Sequence, residues 1–356
     1  MCCNIIPKYI LKNIAEKTDN AKQKSAYKNA LNIVDSVDRN YRVKRKKIIE
    51  QGIKPELIHD QHVERLIVYD NKYEWDYNKS WLWEDFKQNH VSQPKKLARR
   101  IFTKNLDQVH DLFHDLLGRE SFDNENAAIQ AWLKFGQLYP NAFWDGEFLA
   151  FGSGDKYYFN DFSKIPDIIA HELGHAITQY ECNLIYESQP GALNEHISDI
   201  FGICFYQKKY LQTVENSKWL IGPGLFTNRV NGTALRSFKN EMAYNDPVVG
   251  RDEQPKHMSD YKDLPVTEDG DWGGVHINSG IPNHAFYLFN LKLGGKTKTW
   301  ENNSLKVWYY SMLKKYDLPD NASFELFAEK TLEIAEMLDG DLVTPLAKSW
   351  NEVGVL

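Results

Sequence analysis

The sequence predicts a two-domain α+β protein, a mixed N-terminal half with antiparallel strands followed by a mainly helical C-terminal half. Three observations carry this expectation. The 356 residues exceed the roughly 150 of an average domain. A composition of 42% hydrophobic and 13% aromatic residues is enough to bury more than one core. Strand-like text runs out near residue 150, and from Asp161 onward the pattern is helical. Wholesale disorder and collagen-like structure are excluded, and no stretch approaches the roughly 18 consecutive apolar residues of a membrane span. Cys2, Cys3, Cys182 and Cys204 show no CxxC spacing, so a disulfide framework is not expected. Cys182 and Cys204 read as small core residues.

The chain opens on a basic segment. Residues 1–50 hold 12 basic and 5 acidic side chains, net +7, against −13 for the remainder. Such a head can be a nucleic-acid arm, a membrane-surface helix or a segment that docks on its own chain. Pro7, Lys8 and Lys12 interrupt any secretory h-region, so synthesis in the cytoplasm without a Sec signal is expected, with any export by a non-classical route. Residues 9–50 are helix-prone, with Tyr27, Leu31, Val34 and Val37 as a weak apolar stripe. They end in Arg42-Val43-Lys44-Arg45-Lys46-Lys47, a linker, a processing site or an anion-binding patch.

Residues 55–90 are irregular and rich in Tyr and Trp. From Lys96 to Leu117, the spacing of Leu97, Ile101, Leu106, Val109, Leu112, Phe113 and Leu116 predicts an amphipathic helix. The text from Ala131 to Ala150 reads as two short strands joined at Asp145-Gly146, a hairpin signal. There is no internal repeat and no low-complexity tract.

The chemistry is concentrated in His171-Glu172-Leu173-Gly174-His175. On a helix, residues four apart share a face, so the two imidazoles can offer nitrogens to one metal while Glu172 reaches a metal-bound water. A helix is expected here because Ser163 or Asp161 can cap it and Pro166 suits its first turn. Ile169, Leu173, Ala176 and Tyr180 supply a buried face. His110 and His114 have the same spacing but no acid between them, and read as polar positions of an amphipathic helix. A catalytic zinc takes a third protein ligand, offered by Glu195 in the next predicted helix. Asp199 lies one turn further on and can accept the free N–H of a ligating histidine.

These residues resemble the thermolysin-like neutral metalloproteases, and in particular the protealysin-type subgroup. The resemblance runs from about Asn126 to Gly294. It rests on Asn126-Ala127-Ala128-Ile129, Asn141-Ala142-Phe143-Trp144, His171–Thr178, Gly191–Gly202, Leu235-Arg236-Ser237 and Gly273-Gly274-Val275-His276-Ile277-Asn278-Ser279-Gly280, all in order. It implies a thermolysin-like zincin fold with the active-site cleft between the domains. It further implies one zinc held by His171, His175 and Glu195, Glu172 as general base and Asp199 orienting His171. Tyr186 and His276 would stabilise the oxyanion, with Asp271 holding His276. Arg236 would grip the substrate carbonyl, and Asn141 and Ala142 the substrate backbone. Phe159, Phe162, Ile168 and Leu235 would form an apolar pocket selecting bulky hydrophobic residues on the C-terminal side of the cleaved bond. Taken singly, Tyr186, Arg236 and His276 read as a boundary tyrosine, a surface charge and a helix cap.

Two departures matter. The family's paired calcium site keeps Asp167, but Tyr206, Lys218, Leu220 and Pro223 stand at its other acidic positions, so the site is expected to be lost. Ile5-Ile6-Pro7-Lys8-Tyr9-Ile10-Leu11 resembles the start of a protealysin-type prosegment, with Lys8 in place of a proline. The expected organisation is a basic inhibitory prosegment (1–54), a shortened N-terminal α+β catalytic domain (55–164) and a mainly helical C-terminal catalytic domain (165–356). Complementary charge would favour docking of the prosegment. Cleavage is expected between Lys44 and Lys54. Burial of Ile5, Ile6 and Pro7, or a zinc thiolate from Cys2 or Cys3, would anchor the segment. The resulting expectation is a monomeric zinc endopeptidase made as a self-inhibited precursor, acting on proteins or peptides, with no nucleic-acid partner and no membrane span. A zinc aminopeptidase shares the ligand arrangement, and a binding or toxin-like protein could keep the fold without turnover.

Overall fold

The computed structural model describes residues 3–32, 34, 57–59, 65–75, 81–82 and 93–356. Cys2, Val37, the basic run 42–47 and the expected cleavage stretch 44–54 lie outside the described residues.

The N-terminal domain is built on a six-stranded sheet of order β1-β5-β6-β4-β2-β3. Its strands are β1 (Cys3–Asn4), β2 (Leu66–Asp70), β3 (Trp81–Leu82), β4 (Ile129–Leu133), β5 (Ala142–Trp144) and β6 (Leu149–Phe151). β4 runs parallel to both β2 and β6, so the sheet is mixed, whereas β5 and β6 form the antiparallel hairpin anticipated at Asp145-Gly146. Asp145 closes that hairpin by accepting the backbone N–H groups of Glu147 and Phe148, an Asx-type turn. The 131–150 region holds three strands rather than two, because Ala131–Leu133 belongs to a separate strand that lies parallel to β2 on one side and to β6 of the hairpin on the other.

The first strand belongs to the N-terminal segment. Cys3 and Asn4 pair antiparallel with Trp144 and Phe143, so the chain's own beginning forms the edge of the sheet. Ile5 and Ile6 follow and are fully buried. Helix α1 (Lys8–Lys17) then buries Ile10, Leu11, Ile14 and Ala15. A second helix, α2, runs over residues 21–32. Its Tyr27 is fully buried and donates to Asp155 Oδ2 at 2.9 Å, while Thr18 pairs with the Tyr158 hydroxyl at 2.7 Å.

The predicted amphipathic helix is α3 (Gln93–Leu117). It buries Phe102, Leu106, Val109, Leu112 and Phe113, and packs Phe102 edge-on against Phe151 of the sheet. Leu97 is instead exposed. In the C-terminal half, α4 (Pro166–Glu181) and α5 (Ser188–Lys209) form the central pair. Their close approach depends on Gly174, where a Cβ would lie 2.9 Å from the Ser198 Cα of the facing helix. Around them stand α6 (Asp271–Asn278), α7 (Gly280–Leu293), α8 (Ser304–Ser311), α9 (Phe324–Leu338) and α10 (Val343–Glu352). No described helix is long and apolar enough to cross a membrane.

The start of α4 differs in detail from expectation. Asp161 caps a separate 3-10 turn, Phe162–Lys164, by accepting from Ser163, and the N-cap of α4 is Ile165 with no side-chain cap. Pro166 opens the helix as anticipated, tolerated there because its missing N–H would be unpaired anyway. Ile169, Leu173 and Ala176 are buried, and Tyr180 is half-buried at the helix end.

A buried arginine ties the two halves together. Arg119, after α3, is fully buried and donates to Glu181 at the end of α4 at 2.5 Å, to the Tyr309 hydroxyl on α8 at 3.1 Å and to the Phe122 carbonyl. Removing one partner of such a pair strands the other's charge. Glu181→Gln, which strands the fully buried Arg119 charge, is expected to lower stability by about 3 kcal/mol, read from urea denaturation, with Arg119→Met costing less because the Glu181 carboxylate it strands lies nearer solvent.

Candidate active site

Helices α4 and α5 cross so that His171 and His175 meet Glu195 at the base of the cleft. Their Nε2 atoms are 2.9 Å apart, and Glu195 lies 3.5 Å from His171 and 3.4 Å from His175. All three residues are buried. His171 Nδ1 bonds Asp199 Oδ1 at 2.9 Å, and His175 Nδ1 bonds Asn194 Oδ1 at 2.8 Å with Ser198 Oγ at 3.0 Å. Carboxylate and amide oxygens only accept, so each imidazole carries its proton on Nδ1 and leaves a bare lone pair on Nε2. Two lone pairs and a carboxylate thus converge in a dry pocket with the His171 and His175 nitrogens offering no proton to one another. That donor set fits a divalent cation, and two His with one Glu is an established zinc arrangement. Among the described residues these three form one of two groups able to hold a metal ion.

The surrounding charges agree with this reading. Burial pushes the His175 imidazole down to about 3, which keeps it neutral as a ligand must be. Burial works against the Glu195 carboxylate, but His276, His175, His171 and Arg236 overcome it and hold it below the usual carboxylate range. Both oxygens of Glu172 are buried, and the Trp144 backbone of β5 is the polar group that faces them. Burial, and then the charge of Glu195, push its carboxyl well above the usual range.

Asp199 is saturated. It takes His171 Nδ1 and Arg236 Nη2 on one oxygen, at 2.9 and 2.7 Å, and Arg236 Nε and Asn283 Nδ2 on the other, both at 2.9 Å. Burial alone would raise its carboxyl, yet Arg236 and His171 hold it far below the usual carboxylate range.

On the opposite wall, Tyr186 donates to Glu195 Oε1 and lies 3.3 Å from His276 Nε2. Asp271 holds His276 twice, through Nδ1 at 2.6 Å and the backbone N–H at 2.9 Å. Burial would push the His276 imidazole down, and the Glu195 and Asp271 carboxylates raise it instead to about 9. This hold is built on an unusual backbone. Asp271, Trp272, Gly273 and Gly274 are four successive left-handed residues, with φ of 53, 53, 85 and 76°. Gly273 serves a second need, since a Cβ there would lie 2.6 Å from Ser188 Oγ. Two non-glycine residues in this region store about 1–3 kcal/mol each.

The cleft is filled by the chain's own residues 4–6. His276 Nε2 donates to the Asn4 carbonyl at 2.7 Å, and Arg236 Nη1 approaches the Ile5 carbonyl at 3.4 Å. Ala142 accepts from Ile5 N–H at 3.1 Å, and the Asn141 amide bonds both N–H and carbonyl of Ile6 at 2.9 and 3.1 Å. Cavities of about 20 and 10 Å³ beside the segment leave room for about one water each. Lys8 pairs with Glu268 at 3.0 Å and Lys12 with Asp269 at 3.8 Å.

Phe159, Phe162, Ile168 and Leu235 are all buried, with the two Phe rings 5.9 Å apart. The histidine pair on α3 behaves otherwise. His110 Nδ1 accepts from Arg65 Nη1 at 2.9 Å and exposed His114 pairs with Asp115 and Glu120, so neither belongs to a described metal group. Cys182 and Cys204 are buried free thiols. Asn194, Ser198 and Asn283 were not singled out from the sequence. Asn194 directly precedes Glu195, and an amide one turn from a ligand pair is a signal that could have been used.

Comparison with known proteins follows this geometry. Residues 56–179 match the family described as thermolysin metallopeptidase, catalytic domain, and residues 182–355 its alpha-helical domain. The match therefore extends beyond the Asn126–Gly294 span in which the motifs were recognised. The chain is 42% identical over 252 residues to an extracellular metalloprotease of Pectobacterium carotovorum, covering 70% of each chain. It is 39% identical over 254 residues to protease PrtS of a Photorhabdus species, covering 71% of this chain and 67% of that one. The solved precursor of protealysin, a metalloproteinase from Serratia proteamaculans, superimposes with a TM-score of 0.82 at 32% identity, over 99% of this chain and 100% of that one.

Chelator-treated protein is expected to take up one equivalent of zinc and to melt at a higher temperature for it, because the cation binds the folded state alone. Asn194→Ala is expected to weaken that binding about tenfold by freeing the His175 ring, measured by competition with a chromogenic chelator.

Proposed function

The chain belongs to the thermolysin family of zinc metallopeptidases, and from that premise we propose that it is a neutral endopeptidase held inactive by its own N-terminal segment. One observation carries the self-inhibition. Arg236, Asn141 and Ala142, proposed to hold substrate, and His276, proposed to stabilise the oxyanion, are all engaged with residues 4–6 of the same chain. A strand bound in this way excludes a second peptide.

The proposed roles follow from position and charge. His171, His175 and Glu195 would hold zinc, which when bound polarises the scissile carbonyl and acidifies water. Glu172 takes a proton from the attacking water and delivers it to the leaving amine, a role that its place beside the metal ligands on α4 supports. Tyr186 and His276 donate to the carbonyl oxygen as charge grows on it, and Asp271 fixes the ring that does so. Arg236 spans two tasks, holding Asp199 with two nitrogens and facing the peptide carbonyl with the third. In the resting chain, the carbonyl of the Asn4–Ile5 bond takes the His276 hydrogen bond. The apolar pocket of Phe159, Phe162, Ile168 and Leu235 favours bulky hydrophobic residues just after the cleaved bond, a preference that cleavage of a peptide library measures.

A single cation suffices in this reading. Asp167 gives one oxygen to Gly222 N–H at 2.5 Å and keeps the other buried without a partner. Burial pushes its carboxyl up to about 7, which disfavours the ionised form that a calcium ligand presents. Elemental analysis is expected to find zinc and no calcium, with melting unchanged by added Ca2+; calcium bound at Asp167 would overturn this.

The whole proposal is tested by intact-mass analysis of full-length protein beside Glu172→Ala, incubated with zinc near pH 7. The wild type is expected to lose its N-terminal segment by cleavage within residues 44–54 and then digest an unfolded protein, while the variant stays whole with its zinc bound. If both stay whole and the wild type, with its segment removed by another protease, still cleaves nothing, the fold serves binding rather than hydrolysis.

A further inference from the structure

We propose that His196 is a positioning residue for the metal centre, acting through a directional hydrogen-bond chain that starts at Trp308 and ends on His171. The inference rests on the reading of His171 as a zinc ligand. His196 follows Glu195 on α5 but points away from the cleft, and nothing in the proposed mechanism uses it. It is fully buried, as are Asn283, Asp199 and His171, and Trp308 is 1% exposed. Water therefore cannot stand in for any link.

Each link has a fixed polarity. The Trp308 indole can only donate, and its Nε1–H lies 2.6 Å from His196 Nε2. Nε2 must then be a bare acceptor, which leaves the ring proton on Nδ1. That N–H donates to Asn283 Oδ1 at 2.7 Å. The Asn283 amide is thereby oriented with Nδ2 towards Asp199 Oδ2, to which it donates at 2.9 Å. The other oxygen of Asp199 receives His171 Nδ1–H at 2.9 Å. Reversing any one group would set two donors or two acceptors face to face in a dry core, which costs more than the bond it replaces. The chain joins α8, α5, α7 and α4, so it carries the geometry of the helical domain to the ring that faces the metal.

Arg236 already restrains Asp199, but from the cleft, where it also meets the bound strand. The His196 chain restrains the same carboxylate from the core side, independently of whether the cleft is filled. Its role is to hold His171 Nε2 on the metal when the N-terminal segment leaves and Arg236 is free to shift.

Two substitutions separate this role from ordinary packing. His196→Asn puts an amide N–H where Nδ1–H stands and loses the acceptor for Trp308. His196→Gln keeps an acceptor near Trp308 and loses the donor to Asn283. Zinc affinity by chelator competition, the visible spectrum of the cobalt-substituted protein and melting of the metal-free protein are read on both. His196→Gln is expected to bind zinc about tenfold more weakly and to alter the cobalt bands, while His196→Asn stays within about threefold of wild type, whichever of them melts lower. Zinc affinity that follows melting temperature in both variants, or that is worse in His196→Asn, overturns the proposal.

The wild-type ring supplies a check that needs no folded variant. Side-chain nitrogen NMR should find His196 protonated at Nδ1 and bare at Nε2, and the opposite tautomer overturns the chain. A wild type that binds no zinc refutes the metal-site reading itself, and the tautomer then decides the hydrogen-bond chain alone.

Discussion

Three acceptors that repel one another, the two Nε2 lone pairs and the Glu195 carboxylate, are forced together in a pocket without water, and the rest of the molecule is arranged to keep them there. Tyr186, His276 and Arg236 relieve part of the Glu195 charge in this cluster, and a cation between its members would relieve the rest. The protein stiffens it from behind. His175 is pinned by Asn194 and Ser198, and His171 by an Asp199 whose two oxygens carry three further donors. The cost of holding the site ready is thereby spread over the helical core rather than met at the site, as expected where outer partners fix the inner ones.

That arrangement in turn dictates how the helices meet. Glu195 and Asp199 reach the histidines of α4 only if α5 lies almost against its backbone, which Gly174 permits. The glycine of the HELGH motif is thus required for geometry even though it takes no part in chemistry. The left-handed run at Asp271–Gly274 serves the same end from the other wall. It turns the chain so that one carboxylate grips both the ring and the backbone of His276, and its strain is offset by those two bonds.

Much of this was legible in the sequence, and the reasons differ by residue. His171, Glu172, His175, Glu195 and Asp199 declare themselves because helical spacing converts sequence distance directly into a shared face. Asn141, Arg236 and His276 come from separate elements, and only their resemblance to an ordered motif set drew attention to them. Asn283 and Trp308 were invisible because their significance lies wholly in partners from other helices. The mixed sheet was missed for a similar reason, since β2 and β4 are joined in register across residues that carry no turn signal. The capping error at Asp161 is local. A short 3-10 turn consumed the cap that periodicity had assigned to α4.

Among the described residues the charge of the N-terminal segment contributes less to its docking than its apolar side chains do. Of the 12 basic residues in the first fifty, Lys8 and Lys12 make the ion pairs with the protease body among the described residues. Pairs of that kind, with one or both partners near solvent, contribute about 0–1 kcal/mol. Ile5, Ile6, Ile10, Leu11, Ile14 and Tyr27 are each almost wholly buried, and burying one such side chain contributes about 1.5–3 kcal/mol. The strand pairing and the apolar faces of α1 and α2 therefore hold the segment, and the diffuse charge acts mainly on how fast it finds the cleft. A segment held this way responds weakly to salt and strongly to cutting. Severing the link between residues 34 and 57 would leave the contacts of the described residues in place but make rebinding bimolecular, so that dilution would then favour release.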